Sequence, residues 1–578
     1  MTTDVDDDAV MASPKKKSRP DRVFASPDGP LRLIDVLLLP ATQVTEFCEF
    51  CKKDSEMLAH VTAWVKAGLV VTTSFTGFGC LELVINANRK LLARLLGVVP
   101  GPIVFYAAWE LSKAAQTALL NHTATRPLHL FEDVLQRVPG FERGELTRGV
   151  DEKLQTLALA KKECKLGSIT RKEYLAEAKE LERANLNALR AGLEDLEFEA
   201  TTKCLICKSY CCINPRANLA YKDYTWLEVA GTTCSPFSTL SDNPCWLDPS
   251  TFAVLSWAYA TRYDEPDEIG HECVQYFKHE VFQNILVDTA SRVKSPWASP
   301  DFVGEGEGGA YDMEHATNSP VDFGAPSERR RKWSWLKRKS GRSGKKFDVS
   351  IEQLFFKKLV ASPSIYMAAP DSWRVAEDQL MATQKAKRTS RRGPSSSTED
   401  SGDDPESERA HVAATCGGDF DRFACYRIAA IDQGLCSDDG RIWQVPVALA
   451  NITQRVEFIK QINGFSVPAL LRRAMLVDLV KGNRMLLPEM WLAQGFPYPG
   501  LAKTYDPTVL EYLEELFPFK DLVIVQHDDT DVEEGDGLPA CSNADEAVLL
   551  TLKEQRSLIG NTMHPVQVSA WILFNILR

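Results

Sequence analysis

Short apolar runs alternate with amphipathic stretches along most of the chain, from about residue 56 onward. The run "GLVVTTSF" (68–75) predicts a strand. It breaks at "TGFGC" and passes into "LELVINANRKLLARLLG", whose apolar residues recur at helical spacing. "PIVFYAAWE" (102–110) predicts a second strand, and "LSKAAQTALL" the helix after it. A third and weaker unit lies around "RPLHLFEDV" (126–134). The pattern resumes after 228 with a strand and a "GTTC" loop, then the amphipathic "PSTFAVLSWAYATRY", then "EIGHECVQYF". Strands alternating with helices predict an α/β fold built on a doubly wound, mostly parallel sheet.

Other stretches interrupt this rhythm. Residues 140–200 are rich in Ala, Leu, Glu, Lys and Arg with a break at Gly167, which predicts a helical hairpin inserted between two units of the sheet. Behind it, "TTKCLICKSYCC" holds Cys204, Cys207, Cys211 and Cys212. The Cys-x-x-Cys hints at zinc, but the second half lacks a clear Cys or His pair, and no metal is assigned. Residues 298–325 read as a Gly-, Asp- and Pro-rich loop, and 384–411 as a low-complexity, disordered linker. A compact mixed segment follows at about 416–486, and the closing "VQVSAWILFNILR" predicts an apolar helix that must pack on something. The expected organisation is therefore a disordered tail (1–28), a first half of the sheet domain (29–139), a helical and Cys-rich insertion (140–225), a second half (226–346), a smaller region (347–480), and a C-terminal return to the main domain (481–578).

Composition narrows the class. A chain of 578 residues predicts two to four domains, with the charged and apolar fractions of a soluble globular protein. No run approaches the ~18 apolar residues of a membrane span. Nor does an apolar segment follow the N-terminus, so neither membrane nor secretion is expected. Fifteen scattered Cys point to reduced thiols inside the cell. The net charge of -12 argues against nucleic acid at first sight, but base collects locally in "PKKKSRP" (14–20) and "RRRKWSWLKRKSGRSGKK" (329–346). The first is similar to a nuclear import signal, and the second can serve phosphates whatever the total charge.

Six residues carry candidate chemistry. Gly77 and Gly79 sit between a predicted strand and helix, where glycine lets the backbone turn sharply and approach a nucleotide-like ligand. A third glycine is missing, which disfavours a dinucleotide. Glu110 ends the next strand, where a carboxylate accepts from ribose hydroxyls or caps the following helix. Asp133 ends the third unit and would accept from an adenine amino group or cap a helix. Cys234 lies on a strand-to-helix loop at the carboxyl edge of the sheet, and Glu272 near the end of the following strand is a candidate acid beside it.

The order of these segments resembles the cytosine-5 DNA methyltransferases. "GTTCSPFS" is similar to the family's Gly-Pro-Pro-Cys-Gln-Pro-Phe-Ser motif, keeping Gly231, Cys234, Pro236, Phe237 and Ser238 but carrying Thr232, Thr233 and Ser235. Phe75, Gly77 and Gly79 match Phe-x-Gly-x-Gly, and Glu272 matches Glu-Asn-Val with Cys273 for Asn. "FGAPSERRR" matches at Phe323, Gly324, Pro326, Arg329 and Arg331, with Ser327 for Gln. "LLPEMWLAQGFPYP" (486–499) and "RSLIGNTMHPVQVSAWI" (556–572) resemble the last two motifs, the latter at Gly560 and Asn561. The resemblance implies a methyltransferase fold that uses S-adenosylmethionine (SAM) and acts on a cytosine flipped out of duplex DNA, in the nucleus. It implies Cys234 as nucleophile, Glu272 as acid, and Arg329 and Arg331 as supports, placed on one strand face by alternate spacing. Phe75, Gly77, Gly79, Glu110, Asp133 and Asn561 would hold SAM. Segment 347–480 would lie where the family recognises its target. RNA as substrate, or a nucleic-acid-binding protein without activity, are the competing readings.

Overall fold

The computed structural model describes residues 32–140, 143–237, 245–288, 295–296, 310–339, 346–357, 361–369, 372–375, 420–433, 435–437, 448–451, 466–468, 470, 476–481, 483–497, 512–516, 550 and 552–578. The tail 1–28 with its basic stretch 14–20, Ser238 and the linker 384–411 lie outside the described residues.

A seven-stranded sheet organises the chain. Its strands are β1 (Leu69–Ser74), β2 (Ile103–Trp109), β3 (His129–Phe131), β6 (Thr225–Gly231), β7 (Glu268–Val274), β8 (Tyr311–Asn318) and β9 (Arg331–Arg338). They lie in the order β3-β2-β1-β6-β7-β9-β8. The first five run parallel, and β9 is antiparallel to both its neighbours. From β1 the chain winds outward to β2 and β3 on one side, and from β6 to β7 on the other. The order therefore reverses between β1 and β6, at the crevice where open α/β sheets take ligands.

Both faces of the sheet are covered, and the strands show it. Leu69 and Val71 of β1, with Leu227 and Val229 of β6, enter one core; Val70, Trp226 and Ala230 enter the other. This is the period-2 alternation of a strand buried on both sides. The first core is closed by α1 (Leu39–Cys51), α3 (Cys80–Leu96) and the C-terminal α10 (Pro565–Ile576). The apolar C-terminal helix thus packs on the sheet domain; every residue from Pro565 to Ile576 is buried, and Trp571 meets Trp333 of β9. The second core is closed by α7 (Ser250–Asp264) and by Leu189 and Leu193 of the inserted hairpin.

That hairpin consists of α5 (Arg143–Leu166) and α6 (Arg171–Leu193). Gly167 takes the left-handed conformation between them, and a Thr170–Glu173 capping box starts α6. A two-stranded ribbon follows, β4 (Thr201–Lys203) with β5 (Tyr210–Cys212). No helix among the described residues is long and apolar enough to cross a membrane.

One expectation fails. The stretch expected as loop at 298–325 contains β8, which lies along β9 from Tyr311 to Asn318. Its glycines precede the strand, and as an edge strand it carries polar residues that masked its period. Several described cations of the basic run 329–346 have partners within the fold. Lys332 donates to the Phe277 carbonyl, while Lys337 pairs with Glu268, Arg338 with Glu265 and Lys346 with Glu314. A strand inside the sheet can bring a cation to an acid of its neighbour, as Lys337 to Glu268 of β7.

Candidate active site

The glycine loop forms where β1 ends. Phe75 and Gly77 both have positive φ, +55° and +62°, and Gly79 at +89° caps α3. A Cβ on Gly79 would sit 2.9 Å from both His122 and Leu119. Buried Glu82, in the first turn of α3, accepts from Thr73 Oγ1 at 2.7 Å and from Thr76 Oγ1 at 2.8 Å, tying the strand end to the helix start. Phe78 packs edge-on against Trp491 and Phe496, so the distant "QGFP" segment clamps this loop from outside. Glu110 binds it from β2: Oε2 accepts from the Gly77 N–H at 2.9 Å and Oε1 from the Ser112 N–H at 2.8 Å. Burial pushes the Glu110 carboxyl up to about 7, although the N–H groups of Ser112 and Gly77 pull the other way.

Beside this loop, across the strand ends, opens a cavity of about 410 Å³. Phe75, Trp109, Leu111, Val134 and Phe252 give it apolar walls, and Glu110, Glu132 and Asp133 give it acid. Val150 of the inserted α5 and Thr233 of the Cys loop complete it. The volume is that of a small-molecule site. Aromatic and aliphatic walls with carboxylates at one side suit a purine nucleoside carrying hydroxyls and a positive charge. They do not suit a pyrophosphate, since among the described residues no Lys or Arg lines the cavity. Asp133 both lines it and caps the short helix Val134–Arg137 through the Leu135 N–H at 3.0 Å, so the two roles considered for it are not exclusive. The lining fits SAM, for which Phe75 and Phe252 would give aromatic contact to adenine and Glu110 a carboxylate to the ribose.

On the other side of the crevice, β6 and β7 place Cys234 and Glu272. Gly231 is in register with Glu272, and the Thr232 N–H donates to the Glu272 carbonyl at 3.1 Å. The loop carrying partly exposed Cys234 therefore leaves its strand alongside Glu272. Glu272 is buried and forms an ion pair with Arg331 Nε at 2.8 Å. Arg329 is buried too, and both its terminal nitrogens donate to the Gly560 carbonyl at 3.4 Å. Burial and the neighbouring Arg331 bring its pKa down to about 10, while Glu272, Cys234 and Cys80 act against that fall. Arg329 thus stays charged at neutral pH within electrostatic reach of both Cys234 and Glu272.

The motif departures are knitted into the loop. Thr232 Oγ1 hydrogen-bonds His271 Nε2 at 2.8 Å, and burial lowers that imidazole to about 3, so it is neutral. Cys273 is buried, its Sγ 3.8 Å from the Thr233 carbonyl and 4.0 Å from that of Thr232. In place of prolines and an amide, side-chain contacts from β7 hold the loop.

The expected site residues Arg329, Arg331, Asn561, Gly77 and Gly79 are placed as follows. Arg329 precedes β9 and only Arg331 lies in it, so alternate strand positions are not what brings them together; the Gly560 carbonyl and Glu272 do. Asn561 ends α9 (Leu552–Asn561) with its side chain exposed, and it is its carbonyl that faces Gly77, 3.5 Å from a Cβ built there. Gly77 and Gly79 shape the loop and do not line the cavity. Sequence reasoning missed Trp109, Leu111 and Phe252 as cavity walls, and Met563, whose Cε would lie 2.7 Å from a Cβ on Gly231. Position at a strand end could have flagged Trp109; nothing local marks Met563.

No protein-family model matches the sequence, and no curated protein does. Among solved structures the chain is similar to the Entamoeba histolytica methyltransferase EhMeth, with 12% identity, a TM-score of 0.35, and 89% of this chain and 100% of that one covered. It is similar also to the S. pombe Dnmt2 methyltransferase, with 11% identity, a TM-score of 0.34, and 88% and 98% covered. Both are methyltransferases.

Proposed function

We propose that this protein transfers a methyl group from SAM to carbon 5 of cytosine in DNA, through a covalent bond between Cys234 and carbon 6. The observation that carries the reading is convergence at one sheet edge. The Cys234 loop, the Glu272–Arg331 ion pair and buried Arg329 meet there beside a cavity with aromatic walls and a ribose-type acid. Phe75, Glu110 and Asp133 would hold SAM, which supplies an electrophilic methyl group when bound.

The chain's own residues do the rest. Cytosine carbon 5 is a weak nucleophile until carbon 6 carries an added group. Cys234, as thiolate, forms the sulfur–carbon 6 bond, and the ring's π electrons move toward nitrogen 3 and carbon 5. Glu272, protonated from solvent as the base enters, gives that proton to nitrogen 3 as charge develops there and takes it back when the thiolate leaves, while Arg331 holds its carboxyl in place. Arg329 keeps positive charge at the site. After methylation, loss of the carbon 5 proton to a base returns electrons to the ring and expels the thiolate, so Cys234 is regenerated. The target cytosine must leave the duplex to meet the thiol, at a cost of a few kcal/mol. The basic stretch 14–20 supports a nuclear site of action.

The test is a covalent trap. An oligonucleotide with 5-fluorocytosine cannot release fluorine as a cation, so elimination stalls and the protein stays bound through denaturing electrophoresis. The expected adduct needs SAM, forms on DNA and disappears in Cys234→Ser. An adduct on RNA alone would move the substrate to RNA. Absence of any adduct from protein that still binds SAM would leave a binding protein without activity.

A further inference from the structure

We propose that the inserted segment carries a structural zinc site, with His129, Cys204, Cys207 and Cys211 as ligands. Their ligand atoms all lie within 4.8 Å of one another. His129 Nδ1 is 3.5 Å from Cys207 Sγ and 3.8 Å from Cys204 Sγ. Bond lengths of about 2.3 Å to sulfur and about 2.0 Å to nitrogen, set at tetrahedral angles, require N···S edges of roughly 3.5 Å and S···S edges of roughly 3.8 Å. The edge to Cys207 matches the N···S value, and the edge to Cys204 is slightly longer.

The backbone is shaped for the purpose. The β4–β5 ribbon pairs Lys203 with Tyr210, so residues 204–209 form its closing loop. Within it the Cys207 N–H points at Cys204 Sγ, 3.4 Å away, and the Lys208 N–H donates to the Cys204 carbonyl at 3.0 Å. Lys208 has φ +58°, a left-handed conformation that costs a lysine about 1 kcal/mol or more. This turn brings both sulfurs of the Cys-x-x-Cys to one side. Cys211 returns on β5. Cys212, its neighbour, is directed elsewhere, its Sγ 3.5 Å from the Asn214 carbonyl. The fourth ligand, absent from the local pattern, comes from His129 on the edge strand β3, and the Leu205 N–H donates to the Leu130 carbonyl at 2.7 Å, locking the ribbon to that edge.

Three thiolates and one imidazole make a closed shell of the structural type, with no position left for water. Each thiol gives up its proton on binding. The metal would fasten the insertion to the outer edge of the sheet at His129, two residues before Phe131 leads into Glu132 and Asp133 at the cavity wall.

Metal content of the full chain, purified under reducing conditions, tests this. About one zinc per chain is expected. His129→Ala, Cys207→Ser and Cys211→Ser should each lower it roughly tenfold or more, and Cys212→Ser should leave it unchanged. Cobalt added to the chelator-stripped, unmutated chain should give the absorption of a tetrahedral thiolate complex, a reading that depends on no variant folding. A folded chain that takes up neither metal overturns the proposal. So does loss of zinc in Cys212→Ser with retention in Cys211→Ser, or a Cys204–Cys207 disulfide in the reduced protein.

Discussion

If the proposed function holds, the Glu110 carboxyl makes SAM binding dependent on pH in a direction that can be worked out. Its carboxyl stands at about 7 against an ordinary 4.5, chiefly because burial disfavours the charged form, with a small repulsion from Glu82. Ribose hydroxyls donate to an ionised carboxylate, so the ionised form is the binding form. With a pKa of about 7, about nine-tenths of the molecules are ionised at pH 8 and about one-tenth at pH 6. The apparent Kd for SAM should therefore rise about tenfold from pH 8 to pH 6, about 1.4 kcal/mol. Calorimetry in buffers of different ionisation enthalpy should also detect close to one proton released per SAM bound at pH 6. For folding the sign is opposite. The group binds its proton more tightly when folded, so its contribution to stability is full below its unfolded pKa and is lost as pH rises through about 7. Glu228 is raised to about 7 as well and adds to the folding effect, but it does not line the cavity, so Glu110→Gln isolates the binding effect. A Kd constant within twofold from pH 6 to 8, or a slope that survives in Glu110→Gln, would refute the reasoning.

Three further outcomes follow from the packing. Arg331→Ala leaves the buried Glu272 carboxyl without its ion-pair partner, and chemical denaturation should show a loss of about 3–5 kcal/mol. Gly231→Ala puts a Cβ 2.7 Å from Met563 Cε and 3.2 Å from the Phe75 carbonyl, costing about 1–3 kcal/mol. Adding Met563→Ala should recover part of that loss and no more, because the Phe75 carbonyl stays; full recovery in denaturant titrations would contradict the geometry. Trp571→Ala, emptying a site packed on Trp333, should cost about 3–5 kcal/mol and lower the thermal midpoint without changing the pH slope of SAM binding.

Sequence alone determined much of the fold. Strands buried on both faces are rich in apolar and β-branched residues, so "GLVVTTSF" and "PIVFYAAWE" declare themselves, and a helical hairpin of Ala, Leu, Glu and Lys broken by Gly167 does so by propensity. The candidate residues that end strands, Glu110 and Glu272, were legible because the carboxyl edge of such a sheet is where ligands sit. Edge strand β8 was not legible, since one open side removes the demand for continuous apolar residues. Tertiary structure alone decided which charges meet. Arg329 finds the Gly560 carbonyl 231 residues away, and His129 reaches Cys204 across 75 and Cys207 across 78. Local periodicity reports burial, which each residue feels by itself. Ion pairs, cavity walls and metal-ligand sets depend on how separate elements are docked, and that is fixed by packing the whole sheet and its helices.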